Sequence, residues 1–341
     1  MRSTKAAIRW YRTPLDRETL ARLNRRSDAK GLAQALGHLT LCTMTGGATI
    51  VSATTWPPWV TLLLLFLHGT VGSFMINAVH ELVHRSVFRT PWLNSVFLRI
   101  YAFLGWINFE HFTASHIPHH QYTLHPPDDL EVVLPIRLMA RQFFLTGLVN
   151  VRGGLDVVRN TIRLARGRFE GEWEKRLFPA DDPERGRPVI RRARVFLGGH
   201  LAIVVTSIAL GWWMVPVVTS LLPFYGGWLF FLCNNTQHVG LQDNVPDFRL
   251  CCRTFTVNPV VRFLYWHMNF HTEHHMYAAV PCYHLGALHR AIRYDLPPCP
   301  HGLRRTWNEI ASILKLQESD PSYQHVAPLP GLDGQGVPSY R

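Results

Sequence analysis

GLAQALGHLTLCTMTGGATIVSATTWPPWVTLLLLFLHGTVGSFMINAVH, residues 31–80, contains no Asp, Glu, Lys or Arg. A helix of a soluble domain needs a polar face, so a charge-free run of this length does not fit one. At roughly 20 residues per bilayer crossing it holds two membrane helices, and Pro57 and Pro58 divide it. A second uncharged run, from Val195 to Gln242, is divided by Pro216 and Pro223. The pattern predicts an all-α integral membrane fold with four transmembrane helices in two hairpins, at about 32–54, 59–85, 195–215 and 224–240.

Charge sets the expected orientation. Arg2, Lys5, Arg9, Arg12, Arg17, Arg22, Arg25, Arg26 and Lys30 precede the first run, and arginines crowd the segment from Arg85 to Arg194 and the part after Gln242. The two turns, near Trp56 and Leu221, contain no basic residue. Basic residues favour the cytoplasmic side, so both termini and the central segment are expected there, in a multi-pass protein of a bacterial cytoplasmic (inner) membrane. The net charge of +12 suits anionic lipid and an acidic protein partner. No nucleic-acid partner is expected, because the basic runs flank membrane segments and no base-reading motif is present.

The expected organisation is a basic cytoplasmic arm over 1–30, a membrane catalytic domain over 31–318, and a disordered Pro/Gly-rich tail over 319–341. Within the domain, 86–194 and 241–318 would form a cytoplasmic helical cap. Residues 92–112 are apolar but interrupted by Arg99, and 136–168 mix arginines with Leu, Phe and Val. Both read as helices lying on the membrane surface. The six cysteines form no Cys-x-x-Cys pair and are expected to be reduced thiols without a metal role. The polar N-terminus does not fit a secretory signal.

Nine histidines stand in clusters at helix-compatible spacing beside these runs: His80 and His84; His116, His119 and His120; His238; His271, His274 and His275. Residues three and four apart share a helix face. Pro118 fits the first turn of a helix better than its interior, which predicts a helix start near His116. Asn234 precedes His238 by one turn. One zinc takes four ligands and would leave most of the set idle. Two irons of five or six coordination positions would use nine nitrogens and leave room for water or oxygen. His38, His68 and His200 are expected to be packed or hydrogen-bonded, His111 and His267 to flank the clusters, and His125, His284, His289, His301 and His325 to lie at the surface. His80-Glu81-Leu82-Val83-His84 also matches the zinc-protease pattern, but that reading of a zinc intramembrane protease leaves the other seven histidines without a role.

His-x3-His, then His-x2-His-His, then a distant His-x2-His-His is similar to the membrane fatty acid desaturase superfamily, and Asn234 with His238 resembles its additional ligand position. The resemblance spans roughly 35–295. It implies a cytoplasmic diiron centre held by His80, His84, His116, His119, His120, His238, His271, His274 and His275, with Asn234 contacting one iron directly or through water. Glu81, Asp128, Asp129 and Glu273 would orient ring N–H groups. It also implies oxidation of an unactivated C–H bond in a fatty acyl or lipid substrate by O2. A carbon–carbon double bond is the first expected outcome, and hydroxylation of an acyl chain, alkane or other hydrophobic substrate the alternative. No His-Pro-Gly-Gly haem signature is present. Electrons would therefore come from a separate ferredoxin, rubredoxin or cytochrome b5 type donor with its reductase. Arg85, Arg89 and Arg262 are placed either to grip a phosphate or carboxylate headgroup or simply to anchor the membrane face.

Overall fold

The computed structural model describes residues 8–330, and over these it is helical throughout, with isolated bridge pairs such as Thr254 with Phe270 in place of strands. α1 (Arg17–Leu23) leads into α2 (Asp28–Thr55), whose N-cap Ser27 accepts from Lys30 N. α2 buries Gly31, Gln34, Ala35, His38, Cys42, Gly46, Thr49 and Ser52, a stripe of small and polar residues at spacings of three and four. That stripe lets α3 (Pro58–Gly72) pack closely against it. A side chain at Gly46 would come within 3.0 Å of the His68 ring.

α3 and α4 (Met75–Val83) form one apolar span, Pro58–Val83, of 26 residues and mean hydropathy 1.8. Leu62, Leu63 and Leu67 on it face outward. α5 (Pro91–Leu104) returns along α4, and α6 (Phe109–Tyr122) crosses behind both. Two amphipathic helices follow, α7 (Ala140–Gly147) and α8 (Val151–Ala165), then the short α9 (Gly171–Leu177). Leu145, Leu148, Val151 and Leu155 are exposed along α7 and α8. α9 is clamped to α8 by Arg163, which donates to both oxygens of Glu174.

α10 (Pro183–Ala209) is charged in its first half and apolar in its second, and is the other helix long and apolar enough to cross a membrane. The expected helix over 224–240 is met only by the seven residues of α12 (Trp228–Asn234), which follows α11 (Met214–Val218) and a 3-10 turn at Leu222–Phe224. Seven residues span roughly 10 Å, a third of a hydrocarbon core. The late start of α12 has a local cause. Gly226 adopts φ +66, and a side chain there would meet Phe66 O and Thr70 N at 2.7 Å. The chain is thereby pressed against α3 before α12 begins.

α13 (Phe248–Cys251), α14 (Pro259–Leu264), α15 (His271–Met276), α16 (Cys282–Ile292) and α17 (Gly302–Ser319) complete the body. The core lies where α2, α4 and α5 meet this last part: Phe74, Tyr101, Tyr265 and Trp266 are fully buried. Part of the N-terminal arm is stitched to the same region. Tyr11 and Thr13 hydroxyls both donate to Asp295, which also receives Arg249. Of the C-terminal segment, Leu329 is buried and His325 N donates to Gly240 O. Residues 1–7 of the arm and 331–341 of the tail lie outside the described part.

Candidate metal centre

Three helices bring the histidine clusters together. α4 carries His80 and is capped by His84, α6 carries His116, His119 and His120, and α15 carries His271, His274 and His275. His238 lies in the turns after α12, and Asn234 closes that helix one turn earlier. α6 starts earlier than Pro118 suggested. Asn108 caps it by accepting from His111 N, and Pro118 sits inside the helix. The strong cap and the Thr113 hydroxyl bonded to Phe109 O hold the first turns in place despite the missing proline N–H.

Two groups of ligand atoms form, each with all members within 4.8 Å of one another: His80, His84, His116, His120 and His274, and beside it His238, Cys252, His271 and His275. The groups adjoin where His120 stacks on His275, ring centroids 4.3 Å apart. His119 stands at the edge of the second group, 5.0 Å from His275 and 5.3 Å from His238 by centroids. Cys252 was not expected here. Its pattern carries no signal, since no second cysteine stands at ligand spacing.

The outer ring nitrogens are held from behind. His116 Nδ1 donates to Glu131 (2.8 Å), His119 Nδ1 to Asp129 (2.8 Å) and His238 Nδ1 to Cys251 O (2.7 Å). Buried Glu81 lies 3.1 Å from His80 Nδ1 and 3.4 Å from His274 Nδ1. The Thr123 hydroxyl, which donates to His119 O, accepts from His275 Nδ1. Such contacts fix the tautomer and point the Nε2 lone pair inward.

Inward, the Nε2 atoms crowd. His120 Nε2 lies 3.0 Å from that of His116 and 3.2 Å from that of His274. His271 Nε2 lies 2.9 Å from that of His238 and 3.1 Å from that of His275. One ring nitrogen carries at most one proton. In each trio the central Nε2, with one proton or one lone pair, therefore makes one well-aligned hydrogen bond, and the other close contact is left without one. A cation between them removes the conflict in both trios. With metal–nitrogen bonds of roughly 2.1 Å, ligands at right angles stand about 3.0 Å apart, the spacing seen. The donor set fits metal ions.

Electrostatics agree. Burial first, and then neighbouring imidazoles, pull His116, His120, His271, His274 and His275 well below the ordinary histidine range, which keeps them in the neutral, ligating form. His119 is the exception. Burial lowers it too, but the Asp129 carboxylate outweighs burial and raises it.

Of the expected orienting carboxylates, Glu81 and Asp129 act as described. Glu273 instead accepts from His289 and the Thr254 hydroxyl, which draws His289 off the surface and into a role holding α15 against α16. Glu131 was missed, although it lies two residues beyond Asp129, whose carboxylate accepts from both Leu124 N and Glu131 N and so turns the loop back toward α6. His38, His68 and His200 are buried and hydrogen-bonded to Val71 O, Val218 O and the Ser220 hydroxyl, as expected. His111 contacts Glu174; His301 is exposed.

No curated protein matches the chain at a significant level. Residues 54–307, well over half of its length, match the fatty acid desaturase family. That stretch takes in α4, α6 and α15 with all nine clustered histidines, and the chain belongs to the fatty acid desaturase family.

Proposed function

We propose that this protein is a membrane-embedded diiron oxidoreductase that introduces a double bond into a fatty acyl or lipid chain. The observation that carries the reading is the pair of adjoining imidazole trios whose Nε2 atoms crowd to 2.9–3.2 Å around a central nitrogen that can make one well-aligned hydrogen bond. In this reading one iron is held by His80, His84, His116, His120 and His274. The other is held by His119, His238, His271 and His275, with Asn234 nearby. Bound iron would supply the reduction of O2, for which one O2, two electrons and two protons are consumed as two hydrogens leave neighbouring carbons and two waters form.

The protein's own contribution is position and dryness. Glu131, Asp129, Glu81 and the Cys251 carbonyl hold the rings at fixed angles, which preorganises the site before substrate arrives. His116, His119, His238 and the three histidines of α15 are all almost completely buried, so bulk water is kept from the reacting carbons. A separate electron-transfer protein would deliver the electrons on the same face.

The membrane placement rests on surface chemistry. Leu36, Met44 and Val51 on α2, Leu62 and Leu63 on α3, and Leu201, Val205 and Ile208 on α10 all face outward. Exposed Trp56 and Trp59 mark the turn between α2 and α3, and exposed Trp212 and Trp213 mark the end of α10, where aromatic residues favour the lipid–water boundary. The histidine-bearing end of α4 lies opposite the first of these turns. In this reading it faces the cytoplasm with the basic segments, and Trp228–Asn234 together with its flanking turns completes the second hairpin.

The test is expression in a lipid-producing host with a compatible ferredoxin and reductase, with fatty acids profiled and iron counted in the purified protein. New unsaturation with about two irons per chain is expected. New hydroxyl groups would move the assignment to hydroxylation, and protein that carries zinc and no iron would overturn it.

A further inference from the structure

A cavity dense in positive charge lies apart from the histidines, where α1 turns into α2. A depression of about 690 Å3 is lined by Arg22, Arg25, Arg26, Lys30 and Arg89, with His284 and Asp28 in its walls. Five cations thus surround one carboxylate, and that carboxylate is engaged. Asp28 accepts from Thr90 N at 2.9 Å and from the Thr90 hydroxyl at 2.8 Å, with Arg89 Nε 3.7 Å away.

The walls are fixed to one another. Tyr283 Oη accepts from Ser27 N at 2.8 Å and donates to Val87 O at 3.1 Å, joining the α1–α2 corner, the loop after α4 and α16. His284 Nδ1 donates to Leu23 O at 2.8 Å, which leaves its Nε2 to accept from Lys30 Nζ at 2.9 Å. The ammonium is thereby aimed, with N–H groups to spare. Guanidinium and ammonium groups set in this way match phosphate oxygens.

Two apolar stripes begin at the rim. On α2, Lys30, Ala33, Leu36, Met44 and Val51 are exposed along one face. On α5, which starts directly after Arg89 and Thr90, Trp92, Val96 and Ile100 are exposed at intervals of four. α5 touches α2 through the Tyr101 hydroxyl on Ala35 O, 2.8 Å, and each stripe faces outward. Positive charge at the head of an apolar stripe is the complement of an amphiphile.

We infer that this cavity binds the phosphate of an anionic phospholipid whose acyl chains lie along the exposed faces of α2 and α5. The inference rests on the membrane placement proposed above and not on the metal assignment.

The test exchanges purified protein into nonionic micelles containing phosphatidylglycerol and phosphatidylcholine, and counts retained lipid by native mass spectrometry. Wild type should retain phosphatidylglycerol in preference to phosphatidylcholine. Arg25→Gln/Arg26→Gln/Arg89→Gln should weaken that retention by about a hundredfold, and Arg26→Gln alone by about fivefold, from the attraction of each cation to an anionic headgroup. Arg304→Gln/Arg305→Gln/Lys315→Gln, which removes the same charge from the exposed face of α17, should retain phosphatidylglycerol like wild type. Equal loss in the two triple variants, or no preference over phosphatidylcholine, would overturn the site. Displacement by coenzyme A or inorganic phosphate at concentrations equal to the lipid would overturn the lipid as its occupant. Retention in protein stripped of iron separates this result from the fate of the metal assignment.

Discussion

The two histidine groups adjoin and differ in what stands behind them. The first is all imidazole, five rings, and its outer nitrogens rest on the carboxylates of Glu131 and Glu81. The second mixes imidazole with the Cys252 thiol; the outer nitrogens of His238 and His275 rest on neutral oxygens, the Cys251 carbonyl and the Thr123 hydroxyl, and His119 at its edge rests on the Asp129 carboxylate. A carboxylate behind a ring makes it a better donor to a cation and offsets the cation's charge. The difference teaches that neutral ligands need not mean a neutral site, and that the two groups draw on different carboxylates, Glu131 and Glu81 behind the first and Asp129 behind His119 at the edge of the second.

The largest expected effect comes from His120, whose ring links the groups. His120→Ala removes the central nitrogen of the first trio and the stack on His275. It should lose the ion of the first group and all activity, with iron per chain falling toward one. Iron near two with activity intact would break the comparison at its root. Metal-free wild type should also melt lower, by up to about 4 kcal/mol of lost binding free energy at a thousandfold excess of metal over Kd.

Glu131→Gln is the next step down. The amide oxygen can still accept from His116 Nδ1, but the charge is gone. Iron affinity of the first group should fall by about tenfold, and by about a hundredfold for Glu131→Ala, which removes the acceptor as well. Competition with a chelator under anaerobic conditions reads both values. If neither variant changes affinity, the carboxylates do not set the difference between the groups.

Much of this site was legible because metal ligation constrains residue type and helical phase together. His80 with His84, and His271 with His274 and His275, have only to lie on helices for their rings to converge. The orienting layer was half legible. Asp129 and Glu81 sit within or just after the clusters, whereas Glu131 reaches His116 only because the loop folds back on Asp129, a tertiary event with no periodic trace. Likewise α2 and Pro58–Val83 follow as helices from the uncharged run, and of the two Pro58–Val83 is apolar enough to span a membrane. The 224–240 segment is uncharged as well, but its helix starts at Trp228, after Gly226 packs on α3, and stops at Asn234 where Asn, Thr and Gln follow; the absence of charge carries no record of that contact.

Cys252 supplies the smallest effect and the finest distinction. Its thiol lies among His238, His271 and His275, but burial first, and then the neighbouring Cys251, pushes its pKa well above the ordinary cysteine value. A thiol ligates as thiolate, and burial among these rings works against that form. Cys252→Ser keeps the size and a hydroxyl in the same space and should leave iron content and chelator competition unchanged. The iron-loaded wild type should also lack a thiolate-to-iron absorption band. A band that vanishes in the variant, together with loss of one iron, would make the second group a mixed sulfur–nitrogen site. The second group would then carry a thiolate beside the Asp129 carboxylate behind His119, and sulfur as well as nitrogen would set its affinity.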